Sequence, residues 1–350
     1  MKPLFIYLFI CSCVNNDYKR IPDKFNYKVQ CVNNVLYFQN SDSYFETIDF
    51  IMNSSENELD IWESSLNYIS NRRHVNMFYD LIDSIDDYGE YSKILSSNCD
   101  IVGIQDNSIL PVISDIVFST LANRDGIFYV NDVMHKVLND RVYMSDQVDL
   151  SHCDFSSDFK NENIYSYNYI LRNNILKSTN CGLEQSAYKE VDKRRVLLDS
   201  YLYYVQDPGY YGTDPNLPSW QKNLLVLSVK LRGEAKNIFG NWKSYSTQLK
   251  FDSGSFKVNV PYPENNNEIN FPQLSSIWSV NGWSETSSYD TKNFWKYKYI
   301  NKYPNLVYPM TIYFNNSNFD IYNCSFEKAY VRGTSRGIGF SNYAIIDCGQ

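Results

Sequence analysis

The sequence predicts an α+β fold: an N-terminal mainly helical module with a β-hairpin, followed by an antiparallel β-sandwich domain. Three observations carry that expectation. Apolar residues from Phe45 to Ile85 recur at helical spacing, which gathers them on one face. From Arg194 onward, short runs alternate apolar and polar residues between Gly-, Pro-, Asn- and Asp-rich pieces, as half-buried strands do. The chain also carries 31 Tyr, 20 Phe and 6 Trp in 350 residues, and Tyr suits strands because its ring packs inward while its hydroxyl reaches water.

In chain order, Val35-Leu36-Tyr37-Phe38 reads as a short strand ended by Gln39-Asn40. Ser41-Asp42-Ser43 supplies N-caps for a helix through Phe45, Ile48 and Met52, and Asn53-Ser54-Ser55 breaks it. A longer helical stretch runs from Glu56 to about Asp86 through Leu59, Trp62, Leu66, Ile69, Val75, Phe78, Leu81, Ile82 and Ile85, interrupted at Asn71-Arg72-Arg73. Residues 91–95 add a helical turn and residues 116–122 a last short helix. Ile127-Phe128-Tyr129-Val130 and Val133-Met134-His135-Lys136-Val137, separated by Asn131-Asp132, predict a tight hairpin.

Strands are expected at 196–205, 224–235, 246–251, 256–260, 293–300, 307–314, 319–331 and 343–348. Eight strands without an intervening helix favour an antiparallel sandwich. On 224–235, Leu225, Leu227, Val229 and Leu231 face one way and Ser228, Lys230 and Arg232 the other. The resulting division is 1–12 a signal peptide, 13–30 a tether, 31–145 the helical module with its closing hairpin, 146–192 a connector and 193–350 the β-sandwich domain.

The beginning of the chain speaks to location. Lys2 precedes the apolar run Leu4 to Cys11, and Ile10-Cys11-Ser12-Cys13 places small residues before a cysteine, the pattern of a lipoprotein signal in which the Cys13 thiol is acylated. The run is too short to span a bilayer, which takes about 20 residues. The expectation is a cell-envelope protein, an outer-membrane lipoprotein of a diderm bacterium facing the periplasm or the surface, with the membrane as partner through Cys13. Loss of residues 1–12 removes Lys2 and takes the net charge from −8 to −9. That sign disfavours nucleic acid, whose phosphates reward basic surfaces.

Outside Cys11 and Cys13 lie Cys31, Cys99, Cys153, Cys181, Cys324 and Cys348. Proximity favours the pairs Cys153–Cys181 and Cys324–Cys348, and buried thiols are an equal alternative. The three histidines, His74, His135 and His152, lack ligand spacing, and neither HExxH nor paired CxxC occurs, so no metal or other cofactor is implied. Gly333-Thr334-Ser335-Arg336-Gly337-Ile338-Gly339 is neither a nucleophile elbow nor a phosphate loop and reads as a turn between strands, with Arg332 and Arg336 solvated. Glu264, Glu268 and Glu285 permit a two-carboxylate glycan hydrolase without identifying one, and Asp83, Asp86, Asp87 and Glu90 read as an acidic loop. No catalytic residue is assigned.

The expected role is therefore non-enzymatic binding of a glycan or protein ligand, with an envelope hydrolase or a purely structural component as rivals. Tyr210, Tyr211 and Trp220 form an aromatic loop, and Trp242 and Trp283 lie beside turn signals, so these five are the candidate ligand-stacking residues. Residues 58–85, 121–137 (LANRDGIFYVNDVMHKV), 231–245 (LRGEAKNIFGNWKSY) and 332–346 (RGTSRGIGFSNYAII) resemble segments of uncharacterised exported lipoproteins of diderm bacteria. That resemblance implies a helical module followed by a β-domain, and no activity.

Replacing the acylated thiol tests the anchor. Cys13→Ala is expected to leave the protein unprocessed or soluble on fractionation; unchanged membrane partition and mass would contradict it.

Overall fold

A computed structural model describes residues 29–155, 161, 163–171, 184–191, 193–205, 224–259, 277–286, 293–301, 325–337 and 340–348. Its helices and its extensive mixed and antiparallel sheets make an α+β fold. Sheet one begins with β1 (Val29–Val32) and β2 (Val35–Phe38), continues with β5 (Ile127–Val130), β6 (Val133–Leu138) and β7 (Arg141–Ser145), and ends with β8 (Tyr165–Asn168). Only its β2–β5 pair is parallel. A parallel pair needs a long crossover, and here the crossover holds five helices and a hairpin.

Those helices are α1 (Ser41–Asn53), α2 (Glu56–Ser65), α3 (Asn71–Asp83), α4 (Tyr88–Ser96) and α5 (Ile116–Leu121), and the hairpin is β3 (Val102–Gln105) with β4 (Ser108–Pro111). Each helix starts on a side chain that satisfies first-turn N–H groups. The caps are Asn40, Ser55, Ser70, Asp87 and Asp115, with Ser43 and Glu58 closing reciprocal boxes at α1 and α2. The expected cap at 41–43 thus falls on Asn40. The expected break at 71–73 comes earlier, at 66–70, because Asn67 turns left-handed (φ 51°) and Ser70 starts α3. The corner is tied by Glu63, which accepts from Ser70 Oγ at 2.8 Å and from Arg72 Nη2 at 2.7 Å.

Two-residue turns set the short strands. Asn33-Asn34, Asp106-Asn107 and Asn131-Asp132 all have positive φ at both positions, the geometry that matches strand twist and that Asn and Asp tolerate. The expected 131–132 hairpin is present, and β1–β2 and β3–β4 are built the same way. Gly126 (φ +79°) turns the chain into β5, and a Cβ there would stand 2.4 Å from the Val137 carbonyl oxygen.

Sheet two has the order β10 (Glu184–Val191), β11 (Arg194–Val205), β12 (Leu224–Lys236), β13 (Trp242–Ser244), β4, β3, with β9 (Ile170–Leu171) pairing β11 and β16 (Asn293–Asn301) pairing β12. It draws on both sides of residue 193, because β13 pairs parallel with β4 at Trp242 and Ser108. Residues 146–192, expected as a connector, supply β8, β9 and β10. Sheet three is β15 (Ile277–Thr286), β14 (Gln248–Asn259), β17 (Ser325–Gly337) and β18 (Phe340–Cys348), antiparallel throughout.

Several sequence expectations change here. Asp252-Ser253-Gly254 is a register irregularity inside one continuous β14, since a glycine in a strand can mark a bulge as readily as a turn. Gly333 to Gly337 belongs to β17: a Cβ at Gly333 would stand 2.5 Å from Leu231, so the glycine permits strand-to-strand approach. Arg332, beside it, has its guanidinium 4.9 Å from the Tyr343 ring centroid and 3.5 Å from Asp252. Cys31, Cys99 and Cys153 are free thiols, and Cys153 Sγ donates to the Asp149 carbonyl at 3.4 Å; Cys181, the expected partner of Cys153, lies outside the described residues. Cys324 and the expected strand at 307–314 lie outside the described residues.

One buried cluster joins α1, α5 and the three sheets, from Val29 to Ile346. Within it His135 is fully buried and stacked on Phe128 at 4.7 Å, its Nδ1 bonded to the Val133 carbonyl at 3.0 Å. Burial lowers its pKa from 6.5 to about 3. Below pH 6.5 the unfolded chain takes up a proton that the folded chain refuses, so stability falls as pH drops toward 3, by up to about 1.4 kcal/mol per unit. His74, also lowered by burial, adds to the slope. His135→Leu is expected to at least halve the loss between pH 6.5 and 5 in urea denaturation; an unchanged slope would show that the histidine is not buried neutral.

Candidate functional site

The site follows from the alternation of two paired strands. On β12, Leu227, Val229 and Leu231 point into the cluster shared with sheet three, while Ser228, Lys230, Arg232 and Glu234 point the other way. The antiparallel register sets Arg195, Leu197, Asp199 and Tyr201 of β11 opposite Glu234, Arg232, Lys230 and Ser228. The sequence pattern of β12 reads as one apolar and one polar face. In the structure both faces are covered: Lys230 is 8% exposed, Arg232 7% and Glu234 1%, because α3, α5 and the β3–β4 hairpin lie across the polar side.

Burying charge requires partners, and each charge has them. Glu234 sits between two guanidiniums: Arg195 at 2.6 Å and Arg232 at 2.9 Å. Arg195 also donates to Ser108 Oγ of β4 at 2.6 Å. Lys230 donates to the Ser114 carbonyl at 2.9 Å, and burial, reinforced by the Arg232 charge, lowers its pKa from 10.5 to about 8. Tyr201 donates to Asp115 Oδ2 at 3.0 Å while Asp115 Oδ1 caps α5; burial and then the Asp115 charge push the phenol well above its usual range. From α3, Tyr79 donates to the Ile109 carbonyl at 3.0 Å and Asp83 pairs with Lys243.

Where the layers part, a cleft of about 1190 Å³ opens. Arg195, Leu197, Asp199, Tyr201, Lys230 and Arg232 form its floor. The facing wall is residues 103–106 and Ser108 of the β3–β4 hairpin with residues 110–112 and Ser114, and the Asn139-Asp140 turn and Ile170 close one end. Cations, carboxylates, two amides and hydroxyls therefore converge on one space, which suits a ligand rich in hydrogen-bonding groups. Nothing in the sequence marks these residues as a group, because they come together only through the pairing of β11 with β12 and of β4 with β13.

The aromatic candidates fare differently. Trp242, expected at an exposed turn, is 4% exposed on β13, its ring covered by the Arg195 guanidinium at 4.4 Å and the Lys236 ammonium at 4.5 Å. Pairing of β13 with β4 and β12 pulls the Asn241-Trp242 turn signal into the sheet. Trp283 stands within β15 opposite Gly254 rather than in a turn. Tyr210, Tyr211, Trp220 and Cys13, like Glu264 and Glu268, lie outside the described residues. Asp87 of the expected acidic loop caps α4. Among the described residues no group of His, Cys, Asp and Glu is placed to hold a metal ion.

No family model and no curated protein matches the chain. Among solved structures, a DUF4848 family protein from Bacteroides thetaiotaomicron aligns with a TM-score of 0.29 and 13% identity over 91% of this chain and 99% of that chain. A superposition at that level fixes neither fold nor activity, and the site stands on its own residues.

Glu234→Gln leaves two buried guanidiniums facing each other and is expected to cost about 3–5 kcal/mol in urea denaturation. Lys236→Ala, which removes the partly exposed pair with Glu190, is expected to cost about 1 kcal/mol or less. Equal small losses would contradict the network.

Proposed function

We propose that the chain is an exported lipoprotein, anchored in the cell envelope through acylated Cys13, that binds a polyhydroxylated ligand of the glycan class without transforming it. Sheets two and three form the β-sandwich of this reading, supported by the approach of Gly333 to Leu231. The observation that carries the binding role is the lining of the cleft. Asp199, Asp106 and Asp140 supply acceptors, Lys230 and Arg195 donors, and Asn139 and Gln105 both, which suits a surface of alternating hydroxyls. For a protein ligand the lining offers Ile104 as its exposed large apolar side chain, with Leu110, Pro111, Val112 and Leu197 half-buried and, among the described residues, no exposed aromatic anchor.

A glycan array probed with the full-length protein in detergent is expected to return a bound class. Lys230→Met and Asp199→Asn are each expected to weaken its binding by about tenfold or more, since a charge-assisted hydrogen bond contributes about 1.5–3 kcal/mol. No retained glycan, or affinity untouched by both substitutions, would overturn the proposal; a hydrolysed ligand would favour the enzyme alternative.

A further inference from the structure

Behind the floor of the cleft lies a second, much smaller void of about 30 Å³, between α3, α5 and β12. Its charged lining is entirely cationic: Arg72 from α3 with Lys230 and Arg232 from β12. Asn76, Ser119 and Ser244 add polar groups, and no carboxylate reaches it. Arg72 is 4% exposed, and the Nη2 of that side chain is taken by Glu63 at 2.7 Å and Asp60 at 2.6 Å. Arg232 Nη2 is ion-paired with Glu234 Oε1 at 2.9 Å, although that oxygen lacks a well-aligned hydrogen bond among the described residues. What remains are Arg72 Nε and Nη1 and Arg232 Nε, three buried donors without a hydrogen-bond partner among the described residues.

Unspent N–H groups on buried guanidiniums are costly, and native interiors satisfy them with protein, water or an ion. A water would accept two of these bonds and then need acceptors for its own hydrogens. The void offers few: the Ser114 carbonyl already accepts from Lys230, and Ser119 Oγ donates to the Ile116 carbonyl at 3.3 Å. An anion only accepts, so it needs no such partners for hydrogens of its own. Since one water takes about 10–15 Å³ of such space, a void of about 30 Å³ has room for two or three waters or for one monatomic ion.

We infer that this void is a binding site for one monatomic anion of the halide class, held by Arg72, Arg232 and Lys230, which fastens α3 to β12. The void shares Lys230 and Arg232 with the ligand cleft, whereas Arg72 and Ser119 line the void alone.

Thermal unfolding of the full-length protein in detergent tests it, with sodium chloride or bromide exchanged for sodium gluconate at constant ionic strength. A saturable rise in Tm of several degrees with either halide is expected, and Ser119→Val, which puts a methyl in place of a lining hydroxyl, is expected to abolish it. Should that variant fail to fold, anomalous scattering from crystals of the unaltered protein grown in bromide decides: a bromide peak within hydrogen-bonding distance of the Arg72 and Arg232 guanidiniums supports the site. Tm values that do not distinguish halide from gluconate, or a void holding only water in the bromide crystals, would overturn the inference.

Discussion

The structure depends on one strand being buried on both faces. One side of β12 is aliphatic and meets sheet three through Leu231 and Gly333. Ser228, Lys230, Arg232 and Glu234 on the other side are also withdrawn from water. Desolvating such groups costs several kcal/mol each unless geometry returns it, so whatever covers β12 must bring partners to fixed places. Ser108 of β4 meets Arg195, the Ser114 carbonyl meets Lys230, and Asp115 meets Tyr201 while capping α5. The polar face thereby sets where the hairpin and α5 lie, which apolar contact alone, being non-directional, does not do.

The same requirement produces the cleft and the void. Hydrogen bonds pin the covering layer at Ser108, Ser114 and Asp115, and between these points the layer does not close down on β11 and β12. Leu197, Asp199 and Lys230 are left lining the cleft on one side, and Arg72, Lys230 and Arg232 a much smaller void on the other. Lys230 and Arg232 line both. Binding chemistry and the attachment of the helical layer therefore share side chains, and a substitution at either position acts on stability as well as on affinity.

Local chemistry was legible in the sequence where one residue type has one geometric use. Asn131-Asp132 turns the β5–β6 hairpin because both residues accept positive φ, and Asn53-Ser54-Ser55 ends α1 because Ser55 caps the next helix. Asn33-Asn34 and Asp106-Asn107 carried the same turn signal, but the runs beside them at Val29–Val32, Val102–Gln105 and Ser108–Pro111 mix polar residues, glycine and proline with the apolar ones, unlike the apolar run read at Val35–Phe38. The candidate site was not legible. A Lys-x-Arg-x-Glu alternation on a strand has the same appearance whether water or a helical layer covers it, and only the β4–β13 pairing brings that cover. Trp242 was misread for the same reason: its position beside a turn is local, and its burial under Arg195 and Lys236 is not.

Native-state hydrogen exchange along α3 and β12 tests most directly whether the polar face of β12 fastens the helical layer to the sheet. If it does, slow amides of 71–83 and 224–236 open with one common free energy, that of global unfolding. If α3 exchanges through a low-energy opening while β12 stays protected, the helical layer is held by something other than this face, and the account is wrong.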